Sequence, residues 1–321
     1  MVMEISSAFI KSVKLQTWSL VMAYDPPTSL TDAQTRFEAW SERLLKARTW
    51  QSQQPLYHYT SFNTLPKILS TQQLWMTSLF KQKKDPLEFV FGLKVLTTII
   101  RENLPDVSPS YMHTCLFNRI RTLAEGEFEK AWGCHIACVA PHGEDLDLWT
   151  NFGDRGNGVA LKIAADYFAV RSHGDDEPKW AVQPVTYGVD VAAHQLCKVI
   201  QAASMALAEA APFVQTKVEA NAVVKQVFEL LVASHIIPIC MLAKQGNFIA
   251  EAEVRIFAPS SLMGNPSPPD KITAPLPHHF IEGIFVGEKA DADLARRILA
   301  DFGLSPSLVQ VAAYSRGLQD V

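Results

Sequence analysis

The sequence predicts an α+β fold, a single mixed or antiparallel sheet core wrapped by helices and carrying a helical insertion. Three observations point there. Short segments of strand character recur from Leu56 to Tyr314, and the helices between them do not form a regular strand–helix–strand repeat with short crossovers. Two alanine- and valine-rich helical stretches, together about 190–234, interrupt the strands.

In chain order, Thr31-Asp32 can cap a helix whose apolar residues Phe37, Trp40, Leu44 and Leu45 recur at helical spacing up to about Ala47. Leu56-Tyr57-His58-Tyr59-Thr60 reads as a short strand, and Asn63 can cap a helix carrying Leu65, Ile68 and Leu69. A strand at Leu74–Thr77 follows. Pro86 suits the first turn of a helix with a buried stripe of Phe89, Leu93, Leu96 and Ile100. A helix across Tyr111–Lys130 leads to a buried strand, Gly133–Val139, then a polar loop, Pro141–Asp147, and a short helix carrying Trp149.

Gly153–Gly158 is a turn, Val159–Ile163 a strand and Val182–Tyr187 another. Helices over Asp190–Ala210 and Phe213–Ser234 precede a strand, Ala252–Phe257, in which charged and apolar residues alternate. The segment Pro259–Pro277, with six prolines, reads as a loop. A strand at Phe280–Val286, a helix at Ala292–Asp301 and an extended Val309–Tyr314 end the ordered chain. The division is an N-terminal extension with its amphipathic helix, 1–54, and one α+β domain, 55–321, that includes the helical insertion and the proline-rich loop.

Composition excludes several classes. With 29 basic against 33 acidic residues there is no extended positive field of the kind that drives nonspecific nucleic-acid binding, and Lys81, Lys83 and Lys84 read as a solvated loop face. Five unevenly spaced cysteines fit a reducing cytoplasm rather than a disulfide framework. On a strand, Cys134 and Cys138 point the same way but lie too far apart to share a metal with His135 or His142, so no metal is expected. Glu4, Lys11 and Lys14 interrupt the apolar start, which disfavours a signal peptide, and Leu230–Leu242, with His235 and Pro238, is short for a membrane span. The expected location is cytoplasmic, with a specialised secretion route left open. Gly153, Gly156 and Gly158 lack the spacing of a dinucleotide fingerprint, no lysine followed by serine or threonine completes a phosphate loop, and no serine elbow or cysteine nucleophile motif is present.

Three spaced signatures remain: Tyr57–Thr60, Asp147-Leu148-Trp149 with Gly156-Asn157-Gly158, and Glu251-Ala252-Glu253-Val254-Arg255. With Lys84-Asp85-Pro86-Leu87-Glu88, Phe152, Gly158-Val159 and Ile284-Phe285-Val286-Gly287, their order and spacing resemble the bacterial domain-of-unknown-function family numbered twenty-nine seventy-one, over about Pro55–Tyr314. The chain departs from that family's pattern at Lys84, where asparagine is usual, at Phe152, where tyrosine is usual, and at Val254, where tryptophan is usual. The family's layout is in turn similar to ADP-ribosyltransferases.

That resemblance implies an ADP-ribosyltransferase-like fold and NAD-dependent transfer of ADP-ribose to a protein or nucleic acid, in a toxin, effector or phage-defence setting, with NAD as substrate and without a membrane. Cleaving the nicotinamide–ribose bond builds positive charge on the ribose, which a carboxylate stabilises. Glu253 is the candidate, with Glu251 two residues away on the same strand face. His58 with Thr60 would hydrogen-bond ribose or adenosine hydroxyls, Tyr59 would offer a ring though it faces the other way, and Trp149 would form a cleft wall, with Arg255 completing the cofactor site. Alternative readings stay open: Glu251, Glu253 and Arg255 as a charge ladder on an exposed strand, a nonenzymatic nucleotide- or protein-binding module, or a nuclease-like site if Asp85, Glu88 and His58 converge.

Overall fold

The computed structural model describes residues 25–50, 53–79, 88–103, 110–127, 132–170, 181–261 and 270–313. Lys81, Lys83, Lys84, Asp85, Pro86, Tyr314 and the first 24 residues lie outside them, as does the side chain of Glu88.

Two sheets form the centre. The first has strand order β1(Leu56–Thr60)-β4(Val159–Ile163)-β10(Ile281–Val286)-β11(Val309–Val311), antiparallel except for the parallel β10–β11 pair. The second is antiparallel, β5(Ala181–Pro184)-β8(Val254–Ser261)-β3(Trp132–Val139)-β2(Gln73–Ser78)-β9(Lys271–Pro275). A two-stranded parallel pair, β6(Thr186–Tyr187) and β7(Ala243–Lys244), stands apart. Tyr57 and Ala140 exchange backbone hydrogen bonds of 2.8 and 2.9 Å, joining the two large sheets at one corner.

The expected α+β class holds, but the single sheet is replaced by two stacked ones. The cause lies in the strands' two faces. Along β8, Val254, Ile256 and Ala258 enter an apolar layer shared with Leu56, Val159, Leu161 and Ile284 of the first sheet. Phe257 projects the other way, into a helical core. Both faces are buried, so the alternation that marks β8 as a strand carries no signal of which layer each face meets.

The helical layer comprises α1(Leu30–Arg48), α3(Glu88–Asn103), α4(Tyr111–Thr122), α7(Val189–Ala210), α8(Lys217–Leu231) and α9(Ile237–Leu242). Ala33 and Phe37 of α1 lie in the same core as Leu96, Leu116, Leu207 and Val224, so the predicted extension helix and the predicted insertion share one layer. Ser29 rather than Thr31 caps α1, accepting from the Asp32 amide at 3.1 Å. Thr216 and Glu219 form a reciprocal capping box on α8. A π turn, Val232–Ile236, links α8 to α9 and precedes Pro238, whose missing N–H an ordinary helix ladder would register as a gap.

The composite helix Lys217–Leu242 is long and apolar enough to cross a membrane, yet 61% of its most apolar window is buried within the protein, as in a core helix. The remaining helices, α2(Leu65–Thr71), α6(Ala165–Val170) and α10(Ala292–Asp301), close the layer between the sheets. The short α5(Leu146–Asn151) covers the outer face of the first sheet.

Several boundaries differ from expectation. The helix predicted to Lys130 ends at Thr122 and continues as a π turn to Glu127. The single strand expected over Val182–Tyr187 splits, because Pro184 cannot continue a ladder and the chain turns there into a different sheet. The proline-rich segment contributes strand at both ends, β8 to Ser261 and β9 from Lys271. Gly158 and Gly287 are close-approach positions: a side chain on Gly287 would collide with the Gly156 carbonyl, and one on Gly158 with the Thr60 carbonyl. The glycine-rich turn therefore serves packing.

Leu161, fully buried on the central strand β4, tests the stacked-sheet arrangement. Leu161→Ala is expected to cost about 2–5 kcal/mol in urea unfolding with an unchanged denaturant slope.

Candidate functional site

The residues singled out by sequence occupy three separate places. Tyr59 and Trp149 lie on the outer face of the first sheet, ring centroids 5.3 Å apart and edge to face. Trp149 is 1% exposed and its Nε1 donates to Gly143 O at 3.0 Å, while the Tyr59 hydroxyl donates to His142 O at 2.6 Å. These rings staple the 140–151 segment onto β1 and β4; the expected cleft wall is a packing contact.

His58 and Thr60 share the other face of β1 with Leu56, toward the layer between the sheets. His58 Nδ1 donates to Cys138 O at 3.0 Å. Burial lowers its pKa, partly offset by that hydrogen bond, so the imidazole favours the neutral form with Nδ1 protonated.

Glu251, Glu253 and Arg255 lie on the helical side of the second sheet. Glu251 ends a 3₁₀ turn, Gly246–Glu251, and Ala252 takes a left-handed conformation (φ 44°), so β8 begins only at Val254. The shared-strand geometry expected for the two carboxylates is therefore absent, and the exposed-strand ladder is too, since all three residues are buried.

The carboxylates converge by another route, through Lys244 at the end of β7. Its Nζ lies 2.5 Å from Glu251 Oε2 and 3.0 Å from Glu253 Oε2. Arg255, 0% exposed, places Nε 2.8 Å from Glu253 Oε1 and Nη2 3.2 Å from Oε2, and its Nη1 donates to Met241 O. The Cys138 thiol also hydrogen-bonds Glu253. Two cations face two anions, so the cluster is neutral as a unit. Burial alone would raise the Glu253 pKa; Arg255 first, then Lys244 and the thiol, outweigh it and bring it to about 2. The Glu253 amide donates to the Tyr187 hydroxyl at 2.8 Å, and burial pushes that phenol up to about 12.

Glu253 and His58 consequently project to opposite sides of the second sheet, with Cys138 between them, its carbonyl meeting one and its thiol the other. Among the described residues, no group of three or more His, Cys, Asp or Glu side chains is placed to hold a metal ion.

A different locus was not marked by any motif. Trp50, just past the end of α1, donates its amide to Val182 O at 2.8 Å, extending the free edge of β5. This brings Arg48 and Trp50 against Gln183, the partner of Arg255 across the β5–β8 ladder. Together with Thr186, Ile239 and Leu242 they line a cavity of about 380 Å³. Arg48 Nε and Nη1, Trp50 Nε1 and both amide atoms of Gln183 are shielded from solvent and have no hydrogen-bond partner. Native proteins leave few buried polar atoms unpaired, and these five belong to three residues that line one cavity.

Arg48 is held by its remaining nitrogen. Nη2 donates to Ser234 O at 3.0 Å and to His235 Nδ1 at 2.5 Å. A guanidinium can only donate, so Nδ1 accepts and Nε2–H of His235 donates to Ser41 Oγ at 2.7 Å. Burial and then the Arg48 charge push His235 down to about 3, which keeps the imidazole neutral, while burial lowers Arg48 only to about 10, so it stays charged. The one sequence-level hint was Gln183, a polar residue within the apolar run Ala181–Val185.

Comparison with models of known families, with curated proteins and with solved structures gives no match for this chain.

The ion cluster makes a pH prediction. A carboxyl whose folded pKa lies below its ordinary 4.5 stabilises the fold above that value and loses the contribution as pH falls toward about 2. Wild-type thermal stability should fall through this window. Glu253→Gln should lose about 3–5 kcal/mol at neutral pH, because Arg255 and Lys244 stay buried, and should show a flatter profile between those pH values.

Proposed function

We propose that this chain is a nonenzymatic module that binds a small molecule in the cavity formed by Arg48, Trp50 and Gln183. The observation that carries this is a cavity of about 380 Å³ lined by three residues, Arg48, Trp50 and Gln183, that together bear five solvent-shielded, unpartnered polar atoms. Each such atom costs on the order of 1–3 kcal/mol while unpaired, so a ligand toward which these side chains turn recovers part of that cost on binding. The volume, about 380 Å³, lies at the lower end of small-molecule sites, and Ile239 and Leu242 supply the apolar surface such sites use.

ADP-ribosyl transfer, the activity implied by the motif resemblance, receives less support from the geometry. A carboxylate that stabilises an oxocarbenium-like ribose must face it with charge to spare. Glu253 has both oxygens engaged by Arg255 and Lys244, and His58 projects to the other side of the sheet. These residues support a structural role.

The two readings separate in one pair of assays. A thermal-shift panel of sugars, amino acids, organic acids and nucleotides should contain a compound that raises the Tm of wild type and not of Gln183→Leu, while NAD incubated with the protein and cell lysate releases no nicotinamide. A panel without any stabilising compound would overturn the binding module. Nicotinamide release that disappears in Glu253→Gln would establish the transferase instead.

A further inference from the structure

The buried ion cluster is closed by a short piece of chain. The 3₁₀ turn Gly246–Glu251 begins two residues after Lys244 and is mostly exposed, Ile249 to 65%. Its two inward side chains, Phe248 and Glu251, both meet Lys244: the Phe248 ring centroid lies 5.1 Å from Nζ, and Glu251 Oε2 lies 2.5 Å from it. With this cover in place the lysine side chain is 8% exposed. The hydrogen bonds from Phe248 N–H to Gln245 O and from Ala252 N–H to Ile249 O close within the turn itself. Its far end is Ala252 at φ 44°, a left-handed conformation that alanine disfavours, and its near end is Gly246, the residue type with the widest backbone range. An exposed segment with few buried groups and a strained end is the kind that opens locally while the rest of the fold stays closed.

Opening that turn changes the charge count. Closed, Lys244 and Arg255 face Glu251 and Glu253; with Glu251 withdrawn, two cations face one carboxylate. Arg255 stays engaged by Glu253 and by Met241 O, so the vacated place is at Lys244 Nζ. We infer that Gly246–Glu251 is a lid over a carboxylate-binding site at Lys244, and that Glu251 is its built-in occupant, displaced when a free carboxylate takes its place. The ligand class follows from the charge: one carboxylate restores neutrality, whereas a phosphate dianion would leave an excess of negative charge in a buried setting. Two carboxylates two residues apart thus have different tasks, Glu253 holding Arg255 in the sheet and Glu251 holding the lid. The site lies apart from the Arg48 cavity, which none of Lys244, Glu251 and Glu253 lines.

Glu251→Ala removes, beyond Cβ, a group the size of acetate, so acetate is the probe. At equal ionic strength, acetate should raise the Tm of the full-length Glu251→Ala protein above its value in chloride or phosphate, and adding Lys244→Met to that variant should abolish the difference. Wild type reports on the lid: hydrogen exchange of the amides of residues 246–252 should be at least about threefold faster in acetate than in chloride, because a bound carboxylate draws the population to the open form, while the β8 amides keep their rates. Equal Tm of Glu251→Ala in acetate and chloride would overturn the site, and phosphate stabilising as strongly as acetate would overturn the carboxylate assignment. Rescue by acetate with no acetate-dependent exchange in wild type would overturn the lid. The exchange measurement stands by itself if Glu251→Ala does not fold. A carboxylate acting at Lys244 keeps its effect in Gln183→Leu, which separates it from a ligand of the Arg48 cavity.

Discussion

The arrangement turns on one buried guanidinium. Arg255 sits fully enclosed on the second sheet, between Cys138 of β3 and Gln183 of β5. A charge there is tolerable only if it is paired and hydrogen-bonded on all sides. Glu253, two residues earlier, supplies the anion, and a second cation, Lys244, with a second anion, Glu251, completes a neutral set. This requirement fixes where α9 ends, since Met241 O must reach the guanidinium, and where β7 lies, since Lys244 must reach both carboxylates. The hydroxyl of Tyr187 on β6, receiving the Glu253 amide, ties the small sheet to the same point.

Meeting that requirement shapes the surface beside it. With Arg255 satisfied by Glu253 and the Met241 carbonyl, Gln183, its ladder partner, is left without a bond from the ion cluster and faces the cavity. Behind the lining residue Arg48, the π turn before Pro238 delivers His235 to the guanidinium. A π turn inserts one residue into a helix and redirects a side chain, a device recurrent at functional sites. One side of the cavity is thus set by the charge economy of the sheet and the other by a local helix irregularity.

Much of the secondary structure is legible in the sequence. The strands at Leu56–Thr60 and Val159–Ile163 and the helix at Ala292–Asp301 fall where periodicity places them. The Glu251 and Glu253 carboxylates converge, but not on one strand face as periodicity implies: the intervening Ala252 is not recognisable as left-handed, since alanine carries no preference for that conformation and only tertiary pairing holds it there. Lys244 gave no signal, because a lysine before a Gln-Gly turn normally reads as surface. Arg48 and Trp50 read as the end of an amphipathic helix, and Gln183 as one polar residue in a strand; their meeting depends on a single backbone bond between Trp50 and Val182.

The sequence by itself determined which segments are helix and strand and that the class is α+β, because side-chain periodicity and turn chemistry act over a few residues at a time. It also held Glu253 and Arg255 within two residues of each other, enough to make an ion pair. Tertiary structure alone decided which face of each strand meets which layer. That decision sent His58 between the sheets and Glu253 toward the helices, and it gathered Arg48, Trp50 and Gln183 around one cavity. The physical reason is that a strand buried on both sides presents the same alternation whichever way it faces, so the choice belongs to the packing of distant segments and not to the strand.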